Sequence, residues 1–492
     1  MVQHIHVREN PTIMSRPRLF RFLSEEALDR VEETAYRLLE DVGISLQYAP
    51  ARDMLQGLGC RVEKERVFIP PDTVQWALRN VTPHRKFFKL DGSDAFSLGD
   101  GHIRFHNGGG LPFIYDLDTG ERRQPRLSDI ADATRLLDAL PHVDAVIPLL
   151  GPQDVPPQLL AVASTQVMLR NTRKPVSAAA IEKPEDVPYV VEMAAACCGG
   201  MESFRQRPVM YISVSPVSPL IFTQDVTRAI IAVAESGAPL ASLPAPTLGG
   251  TGPVTMAGAL AQQHAEVLAS FVIAAAARLG APVIYCSRIS SLDPRTATSS
   301  WGGPEVGMTG ACAAQLAHRL GLPCDSYGLN SSSRTLDPQF AYERLANALV
   351  PALAGVDVLS GVGSTDNVLT AGLEIAVIDD ELISLIQHIV AGPEVNEATL
   401  AYDVMAEVIP RDGVFLGEMH TVRHMRQGAL WIPQLSARGG AAASPIGDDV
   451  VARARARARD ILHSHQVEPL PEDVGRHLDE ILVRARRELV KE

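Results

Sequence analysis

The sequence predicts an α/β fold, a (β/α)8 barrel, from two observations. From about residue 140, apolar runs of strand length alternate with longer segments of helical spacing, as a parallel sheet covered by helices requires. The runs number eight, the count that closes such a barrel. A doubly wound open sheet is the competing arrangement. No Gly-x-Gly-x-x-Gly follows the first run, where a dinucleotide-binding version would carry one.

Residues 1–140 read as an α+β region packed on the barrel. Ser24 caps a helix whose apolar positions Leu28, Val31, Ala35, Leu38, Leu39 and Val42 recur every three or four residues, with Gly43 as its stop. A short helix, Ala51 to Leu58, follows. Short β-like pieces come next at Arg66–Ile69, Phe87–Leu90 and Ile103–His106, then a hairpin turning at Asp118-Thr119-Gly120.

The barrel is expected over 141–440. Its strand runs are Val143–Leu150, Pro175–Ala180, Val209–Val214, Leu240–Leu243, Pro282–Ser287, Leu322–Tyr327, Val356–Gly361 and Gly413–Leu416. The helical segments between them are Pro157–Arg170, Pro184–Cys197, Gln224–Glu235, Met256–Leu279, Pro304–Leu320, Gln339–Ala352 and Leu373–Val390. Residues 441–492 form a helical appendage. There "VARARARARD" reads as a solvated helix, and Val474, Leu478, Ile481 and Leu482 share one face of a second.

A net charge of −13 argues against a duplex nucleic-acid binder, which needs a basic face, and favours a small ligand or a protein partner. The first twenty residues lack the apolar core of a signal peptide. The longest apolar run, Val267 to Leu279, includes Arg278 and is too short to span a membrane. Six cysteines without CxxC or Cys-His spacing point to reduced thiols in the cytoplasm and to no zinc site.

A barrel of this kind places its chemistry at the C-terminal ends of its strands. Those ends are "SPVSPL" (215–220), "PAPTLGGTG" (244–252), "SRISSLDPRTATSSWGGPE" (287–305), "GLNSSSRTLD" (328–337), "GVGSTDN" (361–367) and "GEMHTVRHMR" (417–426). They are rich in Ser, Thr, Gly, Asn and Pro. No nucleophile, base and carboxylate converge as a hydrolytic triad needs. His420 and His424 have ligand spacing without a third partner, so no metal site is assigned. "NGGG" (107–110) and "LGGTGP" (248–253) could cradle phosphate at a helix start, but neither matches a P-loop.

Several longer segments carry a resemblance. They are "LLEDVGISL", "DLDTGERRQPRLSDIADATRLLDALPHVD", "GALAQQHAEVLAS", "GGPEVGMTGACAAQLAHRLGLP", "LDPQFAYE" and "FLGEMHTVRHMRQG". In this order the chain resembles the trimethylamine methyltransferase family, corrinoid-dependent methyltransferases built on a TIM barrel. The resemblance implies methyl transfer from an amine nitrogen to the Co(I) of a cobalamin carried by a separate corrinoid protein. Trimethylamine-specific members carry pyrrolysine within the region matched by 328–343, where this chain has ordinary residues. Ser332-Ser333-Arg334 stands where many relatives without pyrrolysine have Asp-Ser-Lys. Through the resemblance, the lack of pyrrolysine implies a quaternary amine such as glycine betaine or carnitine as methyl donor, and the departure at 332–334 leaves open which one.

Such a donor leaves as a neutral amine, so the site needs positioning more than proton transfer. Trp301, Tyr327 and Phe222, near strand ends, are candidates to face the cation. Arg288 or Arg334 could grip a substrate carboxylate, with Asn330, Ser331 and Ser332 lining the pocket. His420 and Glu305 are the catalytic candidates. Each has a plainer reading: Trp301 as lid packing, Tyr327 as core, Glu305 as a partner of its helix dipole, and Arg334 as an ion-pair partner of the helix cap Asp337. Two other functions stay open, a methyltransferase with a folate acceptor and a non-catalytic binder of small cations. Homo-oligomerisation is compatible with the helical exterior.

Overall fold

The computed structural model describes residues 20–178, 181, 183–438 and 449–490. The stretch read for a leader, apart from Phe20, and the end of the 175–180 run lie outside these residues. Eight strands run parallel around one axis: β1 (Arg104–Asn107), β2 (145–146), β3 (Val176–Ala178), β4 (Met210–Val214), β5 (Leu240–Ser242), β6 (Ala281–Ser287), β7 (Cys324–Tyr327) and β8 (Val358–Val362). They pair in the order β3-β4-β5-β6-β7-β8-β1. The parallel bridges His106–Ala145 and Val146–Val176 set β2 between β1 and β3 and close the ring.

A helix follows each strand: α1 (Leu127–Ala139), α2 (Leu160–Arg170), α3 (Val187–Cys197), α4 (Gln224–Ser236), α5 (Met256–Ala277), α6 (Pro304–Arg319), α7 (Pro338–Leu353) and α8 (Leu373–Ala391). The ring therefore differs from the expected one at one strand. Gly413–Leu416 forms no strand, and Arg104–Asn107 takes its place from the N-terminal region. The reason is chemical. Val414 and Leu416 are exposed, whereas β1 buries Phe105 and turns the polar His106 into the lumen, which disguises it as something other than an apolar run.

The N-terminal helices Glu25–Arg37, Ala49–Gly57 and Pro71–Asn80 pack on α5. Covered on both sides, α5 is buried continuously from Ala259 to Ala275, so it shows little polar face. The Ser24 hydroxyl does cap the first helix, accepting from the Ala27 amide. The hairpin Lys86–Phe88/Asp94–Ser97 plugs the N-terminal end of the barrel. There Phe87 stacks on Phe96 at 4.6 Å and meets Tyr211 at 5.8 Å.

Three short helices, α9 (Glu397–Leu400), α10 (Tyr402–Arg411) and α11 (Met419–Arg426), follow α8 as an arm. Beyond it, α12 (Val450–Ser464) lies on α8, and α13 (Glu472–Leu489) lies on α2 and α3. The Ala-Arg repeat is indeed helical. Ala454 and Ala458, one turn apart, are buried, while Arg455 reaches Glu374 and Arg459 reaches Asp118. No described helix is long and apolar enough to cross a membrane.

Candidate active site

Strand alternation decides what enters the lumen. Tyr211 of β4, Ala241 of β5, Ile284 and Cys286 of β6 and Val358 of β8 form one cluster inside the ring, above the Phe87 plug. His106 of β1 and Asp325 of β7 line the same space. Arg288, just beyond β6, completes the arrangement. Its Nη2 donates to Asp325 Oδ1 at 2.9 Å, while His106 Nε2 lies 3.3 Å from Oδ2. Arg288 Nη1 is spent on the carbonyls of Ser287 and Asp325.

Electrostatics follow from this pairing. Burial alone would raise the Asp325 carboxyl, but Arg288 and His106 outweigh it and hold the group below its ordinary value. The reverse holds at Arg288, where burial opposes the charge and Asp325 overrides it. Cys286 Sγ lies 3.9 Å from Asp325, and burial pushes its thiol well up, so it stays protonated. Burial likewise keeps the Tyr211 phenol neutral.

Toward the C-terminal mouth, the Arg288 guanidinium sits 5.5 Å from the Tyr327 ring centre. Trp301 meets the same ring at 5.2 Å, tilted toward edge-on. The Tyr327 hydroxyl lies 3.3 Å from Ser364 Oγ. A Cβ at Gly108 would approach that hydroxyl to 3.2 Å, so the first glycine of "NGGG" makes room for Tyr327. The segment leads into the strand Phe113–Tyr115 and not a helix, so it offers no helix-start phosphate cradle.

The serine loop after β7 is stitched to its neighbours. Ser331 Oγ and the Ser332 amide both donate to Glu343 of α7. Ser332 Oγ reaches Asn367, whose side-chain oxygen also accepts from the Trp301 amide. Ser333 bonds to Thr335 and Asp337, and Asp337 caps α7 by accepting from the Phe340 amide. Opposite this loop, Asp366, Asn367 and Val368 are three consecutive non-glycine residues in the left-handed region, a strained run of the kind that gathers at functional sites. Asn330 is the exception to the stitching. It is fully buried, and neither amide atom has a partner.

The structure thus brings Arg288, Trp301, Tyr327, Asn330, Ser331 and Ser332 to one mouth, leaves Glu305 at its rim in the first turn of α6, and places Phe222, Arg334 and His420 elsewhere. Phe222 is 0% exposed and belongs to a small sheet with Ile44–Leu46, a core position. Arg334 lies on the surface, paired with Asp366 and not with Asp337. Glu305 is half-buried in the first turn of α6 beside Gly303. His420 lies on α11 in the arm, 4.3 Å from the His424 ring, because the strand assumed to precede it does not exist. Sequence reasoning missed His106, Asp325, Cys286 and Tyr211. For Asp325 and Cys286 the signal is a polar residue at an alternate position within a strand-length run; His106 and Tyr211 are marked only by the strand pairing. Among the described residues, no group of three or more His, Cys, Asp or Glu side chains is placed to hold a metal.

Comparison with known proteins gives a consistent picture. A family model described as trimethylamine methyltransferase (MTTB) matches residues 2–490. The chain is 31% identical over 462 residues to trimethylamine methyltransferase MttB of Desulfitobacterium hafniense, covering 93% of this chain and 92% of that protein. It is 29% identical over 481 residues to a glycine betaine methyltransferase from the same species, covering 96% and 98%. Among solved structures, the monomethylamine methyltransferase of Methanosarcina barkeri is similar at a TM-score of 0.50 and 14% identity, over 91% of this chain and 90% of that one. That last likeness concerns the fold alone.

Proposed function

Because this chain belongs to the trimethylamine methyltransferase family and is a methyltransferase, we propose that it moves a methyl group from a quaternary amine of glycine betaine type to the Co(I) of a corrinoid carried by a separate protein in the cytoplasm. The observation that carries the substrate class is the state of Asp325. Its carboxylate is buried, held in its charged form and engaged by both Arg288 and His106, so it is no proton donor to a leaving amine. A quaternary nitrogen needs none, since it departs as a neutral tertiary amine. A donor that leaves as a less substituted amine would need a ready acid more.

The residues at the mouth suit a substrate held by this chain and a corrinoid brought by its partner, which supplies the nucleophile when docked. Trp301 and Tyr327 offer aromatic faces to a trimethylammonium group, each worth roughly 0.5–2 kcal/mol. The open Asn330 amide is the group left for the polar end of the donor. Arg288 contributes by fixing Asp325 and sitting beside Tyr327; its two terminal nitrogens are already committed. The loop around Ser331 and Ser332 keeps Trp301 in place through Asn367. Glu305 and His420 have no part in this reading.

The test is single-turnover methyl transfer from glycine betaine and other quaternary amines, with cob(I)alamin and a tetrahydropterin offered as alternative acceptors. Transfer that requires the reduced corrinoid is the expected result. Transfer to the pterin alone, or binding of quaternary amines without turnover on any acceptor, overturns the proposal.

A further inference from the structure

The loop that follows β8 at the mouth is held from behind by a second buried ion pair. Arg344, in the second turn of α7, is fully buried, and so is Asp379, in the second turn of α8. Arg344 Nε donates to Asp379 Oδ1 at 2.7 Å and Nη2 donates to Oδ2, a bidentate pairing. The remaining nitrogen, Nη1, donates to the Ser364 carbonyl. Asp379 Oδ2 also accepts from the Gly363 amide at 2.7 Å. The pair therefore fixes two consecutive residues of backbone just past the end of β8.

What those two residues lead to belongs to the mouth. Ser364 Oγ is the group beside the Tyr327 hydroxyl. Thr365 Oγ1 and the Asp366 amide donate to the Ser333 carbonyl at 2.8 and 3.1 Å, and the Asn367 amide donates to the Ser331 carbonyl at 3.0 Å. Asn367 Oδ1 then accepts from the Trp301 amide. The left-handed run from Asp366 to Val368 lies in this same loop, and such strain persists only where the surroundings over-determine the backbone.

A buried ion pair is seldom more stabilising than apolar residues of similar volume. Arg344 and Asp379 come from helices outside the strand ring, so they face no substrate in the lumen. What they supply is a fixed Gly363–Ser364 backbone. We propose that Arg344 and Asp379 are positioning residues for methyl transfer. Through residues 363–367 they set the 5.2 Å meeting of Trp301 with Tyr327 that receives the quaternary nitrogen. This rests on the donor proposed above, because the ring pair governs turnover only if it faces that nitrogen. Without the ion pair, the Gly363 amide and the Ser364 carbonyl lose these partners, and the loop shifts to find others.

The test replaces the pair by apolar residues, Arg344→Met/Asp379→Leu, in the full chain, with folding checked by circular dichroism. Its first readout needs no substrate. The chain has three tryptophans, and Trp76→Phe with Trp431→Phe leaves Trp301 as the sole emitter. Acrylamide quenching of Trp301 should rise about twofold once the loop is loosened. The second readout is kinetic. KM for glycine betaine should rise about tenfold with kcat little changed, and the same replacement made in Trp301→Ala should add almost nothing.

Ile383→Ala, at a buried position further along α8, is the control for general destabilisation and should leave quenching and KM as they were. Arg344→Lys keeps the charge but cannot hold both carboxylate oxygens and the Ser364 carbonyl, so it should shift both readouts in the same direction by less. Unchanged quenching in both Arg344 variants, effects that add fully to Trp301→Ala, or an equal response in Ile383→Ala overturns the inference. Increased quenching in a chain whose unaltered form transfers no methyl group from any quaternary amine would refute the proposed donor and leave the positioning of Trp301 by this pair standing.

Discussion

Asp325 accepts a 2.9 Å hydrogen bond from Arg288 with the two side chains 5% and 8% exposed, so a complete ion pair is held away from water inside the barrel. Such a pair is weak evidence for stability, because desolvation offsets most of its attraction. Its use is geometric. Asp325 comes from within β7 and Arg288 from just past β6, so their bond ties two strand ends at the height where Tyr327 and Trp301 begin.

Breaking one side of the pair should therefore be far worse than removing both. Arg288→Met leaves a buried carboxylate facing only His106 and should cost roughly 3–5 kcal/mol. Adding Asp325→Leu to that variant should return most of the loss, as urea unfolding would show. Methyl transfer should stay low in both, because the strand ends lose their tie.

Acid sensitivity should come in two successive windows. His264 is fully buried on α5, and burial lowers its imidazole to about 3. The unfolded chain binds a proton there from about pH 6.5 downward and the native chain does not, so native stability falls with pH from that point. The slope is about 1.4 kcal/mol per pH unit for one such group, and it should be reduced in His264→Gln between pH 6 and 4. Asp325 acts lower. Its folded value lies below its ordinary 3.8, so its contribution is present above about 4 and is lost as pH falls through the folded value. Asp325→Asn should lack that second fall. Thermal melts across pH 7 to 2.5 would separate the two.

Asn330 should trade stability against binding. A buried amide with both atoms unpaired costs roughly 1–3 kcal/mol, so Asn330→Leu should raise the melting temperature of the free protein. The same change should abolish the further melting shift on adding glycine betaine, which reaches about 2.7 kcal/mol for a ligand at a hundredfold excess over Kd in the unaltered site. A variant that melts lower and still responds to ligand would show that the amide serves the fold.

How much of this was legible before the structure depends on which way each residue points. The runs from Val143 to Gly361 are readable because parallel strands covered by helices are apolar on their outward face, and the inward face of this barrel is mostly apolar as well. β1 escapes that reading because His106 is one of only four residues in it and faces the lumen. Trp301, Tyr327, Arg288 and Asn330 are found by position, since strand ends face the mouth whatever their chemistry. Asp325 is hidden for the opposite reason. It lies inside a strand, and only its two-residue spacing from Tyr327 marks both as inward. His420 shows the cost of counting strands without pairing them: one misplaced strand carries its neighbour to the wrong end of the molecule.

Trp301 should act on substrate affinity more than on turnover. Its amide is fixed by Asn367 while its ring meets Tyr327, so the ring is positioned without help from a substrate. Trp301→Ala should raise KM for a quaternary amine about tenfold, equivalent to about 1.4 kcal/mol of lost cation–π contact. Trp301→Phe should lie between. If kcat falls and KM holds, the ring orients the methyl group in the transition state and is no simple cation face.

The backbone behind Asn330 supplies the last test. Gly361 of β8 has φ +119°, a region L side chains rarely adopt, and a Cβ there would stand 2.8 Å from the Leu329 carbonyl oxygen. Gly361→Ala must therefore strain its own backbone and push against the residue that precedes Asn330. Gly110 is the control. It also has positive φ, at +70°, but a Cβ there meets nothing within 4 Å. Gly110→Ala should cost about 1 kcal/mol from conformation alone. Gly361→Ala should cost roughly 2–4 kcal/mol, since the clash adds to the strain. If the loop after β7 holds the donor, glycine betaine binding should weaken in Gly361→Ala and stay unchanged in Gly110→Ala. Equal weakening in both, measured by calorimetry, would place the donor elsewhere than beside Asn330.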